Sequence, residues 1–97
     1  MLESVYQSRL IKKLEHEFPG CLILKNDTDY LQGFPDLTVL YKDKWAVLEV
    51  KASQDSPNQP NQEFYISLLE RMSFGGFIYP ENEYAVLIDL RKHFGVR

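Results

Sequence analysis

Two carboxylates and one ammonium lie within segments that otherwise have the composition of a hydrophobic core. Asp36 ends the segment 33–36, and Glu49 and Lys51 end the segment 45–51. Charged side chains are costly to bury unless they are paired or functional. Two neighbouring carboxylates repel each other unless a cation joins them, and carboxylate oxygens are ligands of hard cations such as Mg²⁺. The spacing therefore indicates a candidate metal site for phosphodiester chemistry.

Each residue of this group has an expected role. Asp36 and Glu49 would hold one or two divalent ions, and the backbone carbonyl of Val50 would add an oxygen ligand. The ion would lower the pKa of its water and neutralise the phosphate. Lys51 would orient the attacking water or stabilise charge in the transition state. A buried Asp-Glu-Lys ion network without catalytic function is an equally open interpretation of the same pattern.

Two further polar residues begin the helices that are predicted to flank this group. Glu3 shares a helix face with Gln7 and Leu10, so it could face the sheet and supply a third carboxylate; alternatively it is a favourable charge at a helix N-terminus. Gln62 opens the helix that follows the Glu49 strand, and its amide could reach a phosphate or a water on the metal. The alternative is an ordinary polar residue in a first helical turn.

A predicted β-hairpin decides whether Asp36 joins Glu49 and Lys51. Side chains alternate along a strand, so Glu49 and Lys51 point the same way. A slip of one residue in the hairpin would turn Asp36 away from them. We expect a two-residue loop at Asp43-Lys44, which keeps all three on one face. The expected pairs are Tyr41 with Ala46, Thr38 with Glu49 and Asp36 with Lys51.

Hydrophobic periodicity and turn residues predict the order α-β-β-β-α-β-α, an α/β (mixed α+β) fold with a small mixed central sheet flanked by helices. The Glu49 strand is apolar on both faces before the site, so we expect it to be central. Asn61 is expected to cap the second helix, whose apolar residues are Phe64, Tyr65, Leu68, Leu69 and Met72. Residues 80–95 favour a helix capped by Asn82 over a strand. The predicted segments are a helix Glu3–Glu17, a short buried strand Cys21–Lys25, hairpin strands Asp36–Tyr41 and Trp45–Lys51, a helix from Asn61 that Gly75-Gly76 breaks, a strand Phe77–Tyr79 and the final helix.

Composition limits the class of protein. The chain has 97 residues, 44% hydrophobic and 26% charged, which suits one globular domain over residues 1–97. No run is long enough to span a membrane, no signal peptide is recognisable, and the single Cys21 indicates a reducing cytoplasm. The net charge of −3 and pI of about 5.3 argue against a protein that coats nucleic acid, but they do not exclude a nuclease.

The motifs together resemble those of a known family. The chain is similar to the PD-(D/E)XK nuclease superfamily and, within it, to the stand-alone virus-type replication-repair nuclease (VRR-NUC) family common in bacteriophages. The resemblance covers nearly the whole chain, including segment 75–82, where a strand ends in Pro-Glu-Asn. The signature elements, in order, are a helix bearing Glu3, then Gly33-Phe34-Pro35-Asp36, then Glu49-Val50-Lys51, then Gln62 opening the next helix.

This resemblance implies a restriction-endonuclease-like core and a Mg²⁺- or Mn²⁺-dependent endonuclease. Asp36 and Glu49 would be metal ligands, Lys51 the catalytic lysine, and Glu3 and Gln62 supporting residues. Minimal stand-alone members are similar to structure-selective nucleases that act as homodimers on branched DNA such as Holliday junctions or flaps, here in phage replication, recombination or repair in the bacterial host cytoplasm. The alternatives are a nicking or end-processing nuclease, a catalytically idle nuclease fold that binds DNA or protein, and a small structural domain.

Overall fold

A computed structural model describes all residues, 1–97. Its three helices and four strands follow the order α-β-β-β-α-β-α, which confirms the predicted mixed α/β fold. Of the three helices, none combines the length and the hydropathy that a membrane span requires. The elements are α1 (Glu3–Glu17), β1 (Leu22–Lys25), β2 (Leu37–Tyr41), β3 (Lys44–Val50), α2 (Gln62–Met72), β4 (Gly75–Ile78) and α3 (Glu83–Phe94).

The four strands form one mixed sheet in the order β1-β2-β3-β4. The β1–β2 and β2–β3 pairs are antiparallel, whereas β4 pairs with β3 in parallel. The parallel pair requires a crossover, and α2 supplies it. Strand β3 therefore lies between two partners, as its apolar faces predicted.

The register of the β2–β3 hairpin differs from the prediction by two residues. Tyr41 pairs with Lys44 rather than with Ala46, so the turn consists of Lys42-Asp43, and Lys42 adopts a left-handed φ of 55°. A two-residue turn with positive φ matches the natural twist of hairpin strands. A shift of two residues preserves the alternation of side chains, so Asp36 still lies on the same side of the sheet as Glu49. When the register is continued, Asp36 is paired with Glu49 rather than with Lys51.

The main core lies on one face of the sheet. Helices α1 and α3 cover this face. Two hydrogen bonds link the helices: the carboxylate of Glu83 on α3 accepts from Tyr6 and Lys13 of α1, at 2.8 and 2.7 Å. The alternating residues of β2 and β3 point into the same layer. The buried cluster comprises Tyr6, Leu10, Leu14, Phe18, Leu37, Val39, Ala46, Leu48, Val50, Ile78, Leu87, Leu90 and Phe94.

Helix α2 covers only part of the opposite face. It packs on β3 and β4, where Gly75 allows a close approach: a Cβ at this position would lie 2.9 Å from the carbonyl oxygen of Ile66. Gly75 and Gly76 thus belong to strand β4, which begins two residues before the predicted strand. Strand β1 lies at the edge of the sheet, where Ile23 packs against the core but Leu22 and Leu24 on the opposite face are 58% and 43% exposed, so the prediction of a buried strand was wrong.

The buried side of α2 was also predicted incorrectly. Its buried residues are Gln62, Ile66 and Leu69, whereas Phe64 and Met72 are exposed. The apolar pattern alone pointed to a wider buried stripe, but the buried side faces the sheet where α2 comes close to Gly75, near the backbone of Ile66 and Leu69.

Neither predicted asparagine cap forms a side-chain hydrogen bond to its helix. Asn61 precedes α2 in a left-handed conformation with φ of 71°. Asn82 precedes α3, but its side chain accepts from the Tyr79 amide and donates to the Phe77 carbonyl. Asn82 therefore secures the end of β4 rather than the start of the helix, while Gly95 ends α3 in a left-handed conformation as predicted.

Candidate active site

A polar cleft of about 540 Å³ opens beside the end of β3. Its walls come from the start of α1, the loop between β1 and β2, the end of β3, and the loop and first turn of α2. Thus elements distant in sequence meet at one edge of the sheet. All five side chains that the sequence singled out line this cleft, namely Glu3, Asp36, Glu49, Lys51 and Gln62.

Asp36 is held against β3 by a hydrogen bond to the main chain. The backbone N–H of Val50 donates to Asp36 Oδ2 at 2.9 Å. The β2–β3 register, when continued, places Val50 opposite Pro35, which has no N–H to offer the Val50 carbonyl. At Pro35-Asp36, the Asp36 carboxylate therefore takes the place of a regular backbone hydrogen bond between β2 and β3. The carbonyl of Val50 is left without a backbone donor from Pro35, close to this carboxylate.

Glu49 is a buried carboxylate with incomplete hydrogen bonding. Its residue is only 3% exposed, and its Oε1 has no hydrogen-bond partner. Its Oε2 accepts one hydrogen bond, from Gln62 Nε2 at 3.0 Å. Burial, and then the negative charge of Asp36, raise the pKa of Glu49 to about 8. Without a cation, this carboxyl group therefore favours its protonated form near neutral pH.

Gln62 connects Glu49 with Lys51. Its Oε1 accepts hydrogen bonds from Lys51 Nζ at 2.6 Å and from the Gln59 backbone N–H at 2.8 Å, while its Nε2 donates to Glu49 Oε2. Lys51 Nζ also donates to the Pro57 carbonyl at 3.1 Å. Gln62 therefore positions the two charged side chains, whereas the sequence suggested an amide that was free to reach substrate.

Lys51 forms no ion pair with either carboxylate. The ion pairs of the protein are Lys13–Glu83, Lys44–Asp43 and Arg91–Glu17, all away from the cleft. A purely structural network would be expected to pair the lysine directly with a carboxylate. The ammonium instead donates to two neutral oxygens, although it lies on the same face of β3 as Glu49.

Glu3 lies at the exposed entrance of the cleft, on the first turn of α1. Burial and then the charge of Asp36 raise its pKa, while Lys51 lowers it. The side chain is therefore within electrostatic reach of the group. No cluster of three or more His, Cys, Asp or Glu side chains has the geometry to hold a metal ion, so Glu3 does not complete a set with Asp36 and Glu49.

The donor set that remains nevertheless fits a hard divalent cation. It consists of the neighbouring carboxyl groups of Asp36 and Glu49, with the Val50 carbonyl between the strands. Glu49 Oε1 is a buried acceptor without a partner, which a cation would satisfy. Mg²⁺ is commonly held by only one or two carboxylates, with waters and substrate phosphates completing its shell.

Two contributions to the site were not recognised from the sequence. The Pro57 carbonyl holds Lys51 from a loop whose path no local pattern indicates. Gly33 has a φ of 89°, and a Cβ there would lie 2.5 Å from the Pro60 carbonyl oxygen and 2.7 Å from Asn61 Cβ. Gly33 thus lets the β1–β2 loop touch the start of α2; its place three residues before Asp36 was the available signal.

Comparison with known proteins gives no match: no protein-family profile, no curated protein and no solved structure matches the chain. The functional interpretation of the cleft therefore rests on the contacts and charges of its own residues, together with the motif resemblance.

Proposed function

We propose that this protein is a Mg²⁺- or Mn²⁺-dependent endodeoxyribonuclease that hydrolyses phosphodiester bonds in this cleft. The observation that carries the proposal is the partnerless Oε1 of buried Glu49, next to the carboxylate of Asp36. A buried acceptor with no donor is uncommon in folded proteins and calls for a specific explanation. A bound cation supplies that explanation and also removes the repulsion between the two carboxylates.

Asp36, Glu49 and the Val50 carbonyl would hold the cation. When bound, the cation supplies positive charge for the phosphate and acidifies water at neutral pH. The charge balance of the cleft supports this assignment, because its lining includes Glu3, Asp29, Asp36 and Glu49 but only one cation, Lys51. A divalent ion would offset the negative charge that this surface presents to the scissile phosphate.

Lys51 is the residue of this chain best placed to act on the reacting phosphate. Its ammonium has three N–H donors. Two are used, by Gln62 Oε1 and the Pro57 carbonyl, which leaves one for a phosphate oxygen or for the attacking water. Because Lys51 is only 6% exposed, that donor is held in a defined direction and loses little solvation when the substrate arrives.

The motif resemblance extends the proposal to substrate and assembly. We propose a VRR-NUC-like enzyme of the PD-(D/E)XK type that selects branched DNA, acts as a homodimer and works in the cytoplasm of a bacterial host. A two-fold dimer would enlarge the DNA surface and present two clefts to two strands.

The test is cleavage of end-labelled linear duplex, flap, fork and four-way-junction DNA with Mg²⁺, Mn²⁺ or EDTA. We expect metal-dependent cleavage, strongest on branched DNA, by the wild-type protein and its absence in Lys51→Ala and Asp36→Ala. Lys12→Ala and Asp89→Ala remove the same charges at exposed helical positions outside the cleft and should cleave normally. If the folded wild-type protein cleaves no substrate with either metal, the proposal is wrong and a binding subunit becomes the better explanation.

A further inference from the structure

A second, mainly apolar pocket adjoins the polar cleft. It has a volume of about 310 Å³ and is lined by Asn26, Asp27, Tyr30, Leu31 and Phe34. Phe34 lines both this pocket and the cleft. Phe34 also precedes Asp36 by two residues. The apolar pocket therefore lies next to the space that the carboxylates line.

Aromatic side chains form the walls of this pocket. Tyr30 is 83% exposed, so burial in the core of the protein does not account for it. Phe34 is half-buried, and its ring packs edge to face against Tyr65 of α2, with centroids 5.5 Å apart. One wall is thus held in place by the fold, while Tyr30 stands free in solvent. Such a pair offers π faces to a planar ligand.

The polar residues of the pocket differ in their free hydrogen-bonding capacity. The side chain of Asn26 is committed, since it donates to the Pro35 carbonyl and to Thr38 Oγ1 and accepts from Thr38. Asp27 is exposed, and its one hydrogen bond accepts the Asp29 backbone N–H at Oδ1. A carboxylate has about four acceptor sites, so Asp27 can accept further N–H groups. The free polar capacity of the pocket therefore comes from the Asp27 carboxylate, an acceptor, and from the Tyr30 hydroxyl, which can donate or accept.

We infer that this pocket binds an unstacked nucleobase of the same DNA whose phosphate enters the cleft. The inference rests on the proposed function and specifies its substrate class. The base would stack on Tyr30 and Phe34, and its exocyclic amino group would donate to Asp27. Stacking on an aromatic side chain contributes about 1–3 kcal/mol per base, and this contribution does not come from surface charge.

A base inside a regular duplex is covered on both faces and cannot enter such a pocket. The pocket therefore selects phosphates next to an unpaired or easily unpaired nucleotide, such as those at a branch point, a flap or a loop. Selectivity for structure would then arise within one protomer, from Tyr30 and Phe34, in addition to any contribution from the assembly of two protomers.

The experiment measures binding in EDTA, where the proposed hydrolysis does not occur. A duplex with one unpaired 2-aminopurine is titrated with wild-type protein, Tyr30→Ala, Tyr30→Phe and Tyr84→Ala, and the fluorescence of the probe reports stacking. Tyr84 is the matched control because it is 80% exposed on α3, outside the pocket. We expect quenching by the wild-type protein and about fivefold or greater weakening in Tyr30→Ala, with Tyr30→Phe and Tyr84→Ala close to wild type.

Two results would overturn the inference. The first is equal binding of the unpaired probe by the wild-type protein and Tyr30→Ala. The second is that the wild-type protein does not prefer the unpaired probe over a fully paired duplex, which includes the case in which it binds neither. Thermal unfolding should show equal midpoints for all variants, since both tyrosines are exposed. The test is separate from the proposed function. Tyr30-dependent binding without metal-dependent cleavage would contradict the nuclease alone, whereas cleavage with unchanged binding by Tyr30→Ala would contradict the pocket alone.

Discussion

Gln62 Nε2 donates to Glu49 Oε2 at 3.0 Å, and this is the only side-chain hydrogen bond that the buried glutamate receives. The same glutamine accepts from Lys51, so the first turn of α2 fixes the distance between an acidic and a basic group. The other oxygen of Glu49, Oε1, has no hydrogen-bond partner. The structure therefore keeps a buried acceptor available, which is the feature that links the fold to the proposed chemistry.

Replacing Gln62 with alanine should damage both stability and activity. Glu49 would lose its hydrogen-bond donor, and Lys51 would keep only the Pro57 carbonyl. We expect a loss of about 2 kcal/mol in the free energy of unfolding, since buried charged groups would lack partners. We also expect a fall of about 10-fold to 100-fold in the cleavage rate, the usual effect of removing a residue that orients metal ligands.

Chemical denaturation and single-turnover cleavage would measure these two effects. The matched control is Gln54→Ala, because Gln54 is exposed and makes no side-chain hydrogen bond. Normal cleavage by a folded Gln62→Ala protein would show that Lys51 and Glu49 do not need this bridge.

Stability without metal should depend on pH through Glu49. Burial and the charge of Asp36 raise its pKa from 4.5 to about 8, so the folded state binds a proton that the unfolded state has released between these values. The contribution of this group to stability is therefore complete below pH 4.5 and is lost as the pH rises to about 8. Glu49→Gln lacks this dependence, and it should become increasingly more stable than wild type across this range.

Urea denaturation in EDTA at several pH values would test this difference, which should level off above pH 8. Adding Mn²⁺ should reduce it, because the cation stabilises the ionised glutamate only in the wild-type protein. A constant difference between the two proteins across the whole pH range would contradict the raised pKa of Glu49.

Gly33 and Gly20 provide a matched pair for testing the contact between the β1–β2 loop and α2. Both have a φ of 89°, but a Cβ at Gly20 meets nothing within 4 Å, whereas one at Gly33 collides with Pro60 and Asn61. Gly20→Ala should cost about 1 kcal/mol for the left-handed backbone alone. Gly33→Ala should cost clearly more and should also lower cleavage, because the loop forms one wall of the cleft. Equal stability losses would show that the close contact is unimportant.

The sequence predicted the element order because helix and strand periods are local properties. The choice of a helix for residues 83–94 was correct, since Gly95 and the charge pattern mark both of its ends. The errors involve tertiary contacts. The exposure of Leu22 and Leu24 on β1 and the close approach of α2 at Gly75 depend on where distant elements pack, and no local pattern encodes that.

For the site, charge within apolar strands was the useful signal. It identified Asp36, Glu49 and Lys51, and the two-residue error in register left them on one face because side chains alternate with a period of two. The hydrogen bonds of Lys51 could not be predicted. Its partners, Pro57 and Gln62, come from the loop and helix that follow the strand, and their approach depends on the complete fold.

The central claim is that Asp36 and Glu49 together bind a divalent cation. The most direct measurement is Mn²⁺ binding by electron paramagnetic resonance, with branched DNA present, for wild type, Asp36→Asn, Glu49→Gln and the exposed control Asp89→Asn. We predict that wild type and Asp89→Asn bind Mn²⁺ and that both cleft variants lose this binding while they remain folded. Equal Mn²⁺ binding by all four proteins, or none by the wild type, would contradict the account.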